Sequence, residues 1–155
     1  MLVQPDYEDM LKSLNCANVK YCIIGSFALA FHATPRYTKD MDILVESTLA
    51  NAKKIIQALN DFGFEELGLT PEDFTTKESI IQLGFEPVRI NLITSVSGIP
   101  FDDIWENRVQ GIYGQTPTYF ISKDHLITCK LSAGRPQDLL DVDLLRSTPS
   151  ENQHV

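Results

Sequence analysis

No run of apolar residues approaches the ~18 that a membrane-spanning helix needs, so such a helix is excluded. Cysteine is scarce. Cys16, Cys22 and Cys129 are an odd count without metal-like spacing, which excludes a disulfide framework and a zinc ribbon. Two of them sit in apolar runs, and the set reads as core thiols in a reducing cytoplasm. Positive charge is also short: 13 Lys and Arg against 21 Asp and Glu leave a formal charge of −8 on 155 residues. That balance argues against a fold-wide electrostatic grip on nucleic acid, so any nucleic acid must be met locally. The opening MLVQPDYEDM has neither a basic start nor an apolar core, so no secretory signal is expected and the location expected is cytoplasmic. Repeats and low-complexity stretches are absent. What remains is an ordinary globular balance, 43% hydrophobic and 22% charged, in a chain long enough to bury a core.

Periodicity then sets the elements. Residues 6–18 place Tyr7, Met10, Leu11 and Leu14 at helical spacing, with Asp6 as the expected N-cap. Residues 20–24, KYCII, read as a buried strand that breaks at Gly25-Ser26 into a small-residue helix, which Pro35 stops. A second strand, 38–46, alternates Met41, Ile43 and Val45 against Asp40, Asp42 and Leu44. Residues 48–62 form an amphipathic helix with Leu49, Ala52, Ile56 and Leu59 as its stripe, closed by Gly63. A loop follows, with one helical turn after Pro71. Strands 78–84 and 87–94 then pair, the second with Val88, Ile90 and Leu92 opposite Arg89, Asn91 and Ile93. A short helix at 101–108, two short strands (VQGIYG and TPTYFI) and two helices (KDHLITCKLSAG, and a last one with Pro136 in its first turn) complete the order. The class is mixed α/β (α+β): one sheet partly covered by helices, in a single domain over residues 1–146, with 147–155 a flexible tail.

Three local features carry chemistry. Gly25-Ser26 joins a strand to a helix, where glycine admits close backbone approach and free N–H groups attract phosphate, although the same turn also occurs as a turn alone. Asp40 and Asp42 share one strand face and can converge on a cation; alternatively they form a solvated strand start. Their position leading into the buried run ILV makes two uncompensated carboxylates costly. The joint spacing matters most: a phosphate cradle on one strand stands beside metal ligands on the next, as phosphoryl and nucleotidyl transfer require. His32 reads as a packing residue at a helix end, and Trp105 as core.

The stretch YCIIGSFALAFHATPRYTKDMDILVE resembles the signature of the DNA polymerase β-like nucleotidyltransferase superfamily. It is most similar to its small bacterial and archaeal group, which includes toxin-type enzymes of abortive-infection and toxin–antitoxin systems. The matching residues are Gly25, Ser26, Arg36, Thr38, Asp40 and Asp42; later, CKLSAGRPQDLLDVDLL matches the group's C-terminal element at Lys130, Arg135, Asp138 and Asp141. The resemblance spans residues 20–146 and implies a polymerase β-like fold with C-terminal helices. It implies that Gly25 and Ser26 hold the triphosphate of a nucleotide and that Asp40 and Asp42 bind Mg²⁺ or Mn²⁺. Lys130 would neutralise phosphate charge. Arg135 and Asp138 would orient Lys130 or the nucleotide, or cap the helix junction. Arg36 would be a phosphate ligand or a loop cation against Asp40.

One departure stands out. Where the group carries Arg-Ile-Asp-Leu-Leu-Thr, this chain reads Arg89-Ile90-Asn91-Leu92-Ile93-Thr94. Asn91 occupies the place of the third carboxylate: its amide oxygen can ligate Mg²⁺, but it brings no charge and cannot serve as a base. Two readings follow. One is an enzyme moving a nucleoside monophosphate from a nucleoside triphosphate to the hydroxyl of an RNA end, a protein or a small molecule. The other is a nucleotide-binding or partner-binding module without turnover, with a cognate partner protein as one candidate.

Overall fold

The computed structural model describes residues 3–36, 38–85 and 88–149, with Phe85 described by its backbone alone. Pro87, the expected start of the fourth strand, and most of the expected tail, 150–155, lie outside the described residues.

The first helix, α1 (Pro5–Cys16), is capped two residues earlier than expected: Gln4 is the N-cap and Pro5 opens the first turn. Proline suits that position because its missing N–H would have had no helical partner. Asp6 therefore sits inside the helix rather than capping it. Tyr7, Met10, Leu11 and Leu14 are buried, as their spacing requires. Strand β1 (Tyr21–Ile24) is buried throughout and runs directly into α2 (Gly25–His32). Strand β2 (Asp40–Val45) is followed by α3 (Leu49–Phe62), which Thr48 caps by accepting from the Asn51 N–H and which Gly63 ends in the left-handed conformation. The α3 stripe is rotated from the expected one. Ala52, Ile55, Ala58 and Leu59 are buried, while Leu49 is 50% exposed. Asn51 is the cause. It is 2% exposed and bonds the backbone of Lys20 and Glu46 three times, turning its own face inward.

After a 3-10 turn at Pro71–Phe74 come β3 (Ile80–Phe85), β4 (Val88–Ile93) and α4 (Phe101–Glu106). Then follow β5 (Val109–Tyr113), β6 (Thr116–Phe120), α5 (Lys123–Ala133) and α6 (Pro136–Ser147). The strands form one mixed sheet in the order β3-β4-β2-β1-β6-β5, with β2 parallel to β4 and β1 parallel to β6. Paired residues share a face. Met41 with Ile90 and Ile43 with Leu92 and Ile23 therefore face the core. The opposite face carries Arg89 with Asp40, Asn91 with Asp42, and Ile93 with Leu44, in three successive rows. Of the cysteines, Cys22 is buried, but Cys16 is exposed at the end of α1, so it is not a core thiol. Trp105 is half-buried rather than core: the Arg108 guanidinium covers its ring at 3.7 Å and Tyr119 meets it edge-on. His32 is buried and hydrogen-bonds the Ile121 carbonyl at 2.7 Å, the packing role expected of it.

Candidate active site

Gly25 stands where β1 becomes α2, with φ +67°. Ile24 pairs with Asp42, which brings the turn alongside that carboxylate. A Cβ at position 25 would lie 2.6 Å from Asp42 Oδ2, so only glycine fits the conformation and the space together. No side chain caps α2, and Ser26 beside the turn is half-buried. The helix start thus offers backbone donors to an anion.

Asp42 and Asn91 are direct partners between parallel strands. Asn91 Nδ2 donates to Asp42 Oδ1 at 2.8 Å and reaches Asp40 Oδ2 at 3.5 Å, while Asn91 Oδ1 is buried without a partner. Arg89 Nε donates to Asp40 Oδ1 at 2.9 Å, and the Thr38 hydroxyl donates to the Asp40 carbonyl. Burial pushes the Asp42 carboxyl up. The Asn91 N–H opposes that shift, the Asp40 charge adds to it and the Lys130 charge opposes it.

The residues at this point fit a single hard cation. Two carboxylates are the usual protein share of a Mg²⁺ that completes its shell with phosphate and water, and their oxygens keep lone pairs beyond the hydrogen bonds they accept from Arg89 and Asn91. The unpartnered amide oxygen of Asn91 is a third hard donor, available if the amide turns over. Among the described residues no group of three His, Cys, Asp or Glu converges, so the charge of a third carboxylate is lacking.

A second cluster joins the helices. Lys130 Nζ is 2.8 Å from Asp141 and 3.7 Å from Asp138, and both carboxylates are 2% exposed. Arg36 Nη2 also donates to Asp141, at 2.7 Å, and Gln137 to the same oxygen at 3.0 Å. Arg36 is therefore not paired with Asp40; that partner is Arg89. Arg36 instead ties the loop after α2 to α6. Arg135 donates its backbone N–H and its Nε to Asp138, closing the junction of α5 and α6. The Arg135 hydrogen bond holds the Asp138 carboxyl below its ordinary value. Burial pushes Asp141 up, but the bonds from Lys130, Arg36 and Gln137 outweigh it and hold it low.

A cavity of about 200 Å³ runs from the Gly25 turn to the second cluster, lined by Gly25, Ser97, Cys129, Lys130, Arg135 and Asp138. Gly25 thus touches both the Asp42 carboxylate and the wall that carries Lys130. Sequence reasoning assigned no role to Arg89 or Asp141. Arg89 is two residues before Asn91 on the same strand, so its shared face was visible; the partner of Asp141 was not, because Arg36 is 105 residues away.

Solved structures share this architecture. The lincosamide antibiotic adenylyltransferase LnuA, lincomycin-bound, is 15% identical with a TM-score of 0.55, covering 94% of this chain and 98% of its own. ANT(2")-Ia in complex with adenylyl-2"-tobramycin is 9% identical at TM-score 0.57, covering 90% and 84%. The Thermotoga maritima protein TM1012 is 12% identical at TM-score 0.58, covering 92% and 93%. At these identities the likeness establishes the polymerase β-like nucleotidyltransferase fold. Comparison with curated proteins finds no match in sequence. Residues 4–146 match the family described as nucleotidyltransferase of unknown function, DUF6036, and the chain belongs to that family.

Proposed function

We propose that the protein transfers a nucleoside monophosphate from a nucleoside triphosphate to an acceptor hydroxyl. The observation that carries this reading is the convergence of Gly25, Asp40, Asp42 and Asn91 at one point of the sheet, beside a cavity walled by Lys130. Asp40 and Asp42 would hold Mg²⁺ or Mn²⁺, with the Asn91 amide oxygen as a neutral third donor. The bound ion supplies charge neutralisation and a clamp on the phosphate oxygens.

The chain's own residues do the rest. The uncapped start of α2, with Gly25 and Ser26, holds the triphosphate by backbone N–H donors. Lys130, held at the rim by Asp141 and Asp138, places an ammonium over the same cavity. Arg36 and Arg135 act through the carboxylates they clamp and keep α5 and α6 against the turn. Asn91 cannot take the acceptor's proton, so Asp40 or Asp42 must receive it or pass it to solvent. Most of the rate enhancement then comes from positioning and electrostatics. A small-molecule acceptor is in keeping with two of the fold's neighbours, which carry lincomycin and an adenylyl-tobramycin.

A second reading has its own observation. Asn91 donates to both carboxylates and so takes the place of a cation. A protein arranged in this way can bind nucleotide without turning it over. The test is incubation of the four labelled ribonucleotides with a cell extract and Mg²⁺ or Mn²⁺. A labelled acceptor supports transfer. Metal-dependent binding with no labelled acceptor supports the second reading.

A further inference from the structure

We propose that the acceptor is a small molecule with an apolar body and a free hydroxyl, and that it lies one strand step from Asp42 in a groove lined by Leu44, Ile80, Ile93, Ile99 and Phe101 together with serine and threonine side chains. The inference rests on the transferase reading above.

Sheet register places the groove. Gln82, Asn91 and Asp42 form one row across β3, β4 and β2; Ile80, Ile93 and Leu44 form the next row on the same face. Two residues along a strand is a step of about 7 Å, so the groove floor begins beside the carboxylates. Ile99 and Phe101, at the entry to α4, form the wall over Ile80 and Ile93. The space is about 530 Å³, within the span of small-ligand sites, roughly 300–1,000 Å³. A groove of about 600 Å³ is lined by Leu83 and Ile90, which point to the opposite face of the sheet, and one of about 560 Å³ is lined by Lys20 and Trp105, beyond the end of β1 that lies away from Asp42.

Ser97 lines both this groove and the Lys130 cavity. It is held at φ +48°, a left-handed conformation that a serine adopts only under constraint. The segment around Ser97 is thus a shared wall. A nucleotide on one side and an acceptor on the other meet over Asp42.

The chemistry of the lining chooses the acceptor. Ile80 is 62% exposed on an edge strand, a place where proteins ordinarily set polar groups. The charged lining residues, Lys77 and Glu78, cancel, so the groove has no basic surface for an RNA backbone. In the transfer the acceptor's hydroxyl oxygen bonds to the α-phosphorus. The α–β bridging P–O bond breaks, pyrophosphate leaves with its electron pair, and the hydroxyl proton goes to a carboxylate or to water.

The test is methyl NMR on isoleucine-labelled protein carrying Mg²⁺ and whichever of the four triphosphates binds best, titrated with a set of neutral aryl and alkyl alcohols. The expected result is binding that shifts Ile80, Ile93 and Ile99. Ile80→Lys should weaken it about tenfold or more with nucleotide affinity unchanged, and Ile80→Leu should restore it. Alcohols that shift other methyls, or that bind Ile80→Lys as well as the native protein, overturn the proposal. So does a labelled RNA end or protein whose labelling Ile80→Lys leaves intact. Absence of nucleotide binding in the same titration overturns the transferase reading itself and is distinguished by the triphosphate arm.

Discussion

Gly25 and Asp42 fit each other so closely that a single added carbon at residue 25 would stand 2.6 Å from the Asp42 carboxylate. The backbone there is left-handed as well, at φ +67°. Gly25→Ala therefore carries two penalties, conformational strain and displacement of Asp42. The expected loss of stability is about 1–3 kcal/mol, read by thermal or urea unfolding. Metal-dependent nucleotide binding should fall with it. Full retention of both would mean that the turn is not the anion cradle.

Asp42→Asn is expected to act in the opposite direction on stability. The substituted side chain still accepts from Asn91 but removes a desolvated charge next to Asp40. The change should be zero or favourable, within ~1 kcal/mol. The pH dependence has a definite sign. The folded pKa of Asp42 is raised, so its contribution is full below the unfolded value and is lost as pH rises through the folded one. The advantage of Asp42→Asn should accordingly appear only as pH rises from acid to neutral. A variant that melts well below the native protein at neutral pH would make Asp42 structural.

Asn91→Asp tests the missing third carboxylate. A third negative charge beside Asp40 and Asp42 should lower the melting temperature without metal, and Mg²⁺ should restore it. Mg²⁺ affinity should exceed that of the native protein in a titration followed by melting temperature. Equal melting in both proteins, with and without Mg²⁺, would remove Asn91 from the site.

The Lys130–Asp141–Arg36 clamp should respond to acid. Asp138 and Asp141 have depressed pKa values, so their contribution is full above the unfolded carboxylate range and is lost as pH falls through the folded values. Asp141→Ala leaves Lys130 and Arg36 without their shared partner and should cost about 2 kcal/mol at neutral pH. The difference from the native protein should shrink toward low pH. A constant difference across the pH range would mean that lost packing, not charge, accounts for it.

Much of this was legible in the chain because strand period and turn chemistry are local. The break after Ile24, the common face of Asp40 and Asp42, and the place of Asn91 opposite Val88, Ile90 and Leu92 all follow from alternation and a glycine. What was hidden depends on partners distant in sequence. The period of α3 could not reveal that Asn51 would be drawn inward by the backbone of Lys20 and Glu46, leaving Leu49 in solvent. Arg36 looked like a companion for Asp40 because they are four residues apart, yet Arg89 takes that carboxylate through strand pairing. Asp6 resembled a cap, but the proline before it opens the helix.

The most direct test is calorimetric titration of ATP, GTP, CTP and UTP into the native protein and Asp42→Asn, with and without Mg²⁺. The expected result is that at least one triphosphate binds the native protein only with Mg²⁺, because the two carboxylates repel phosphate until a cation stands between them, and that Asp42→Asn abolishes this binding while remaining folded. Binding of equal strength with and without Mg²⁺, or unchanged in Asp42→Asn, would contradict the account of Asp40, Asp42 and Asn91 as a metal–nucleotide site.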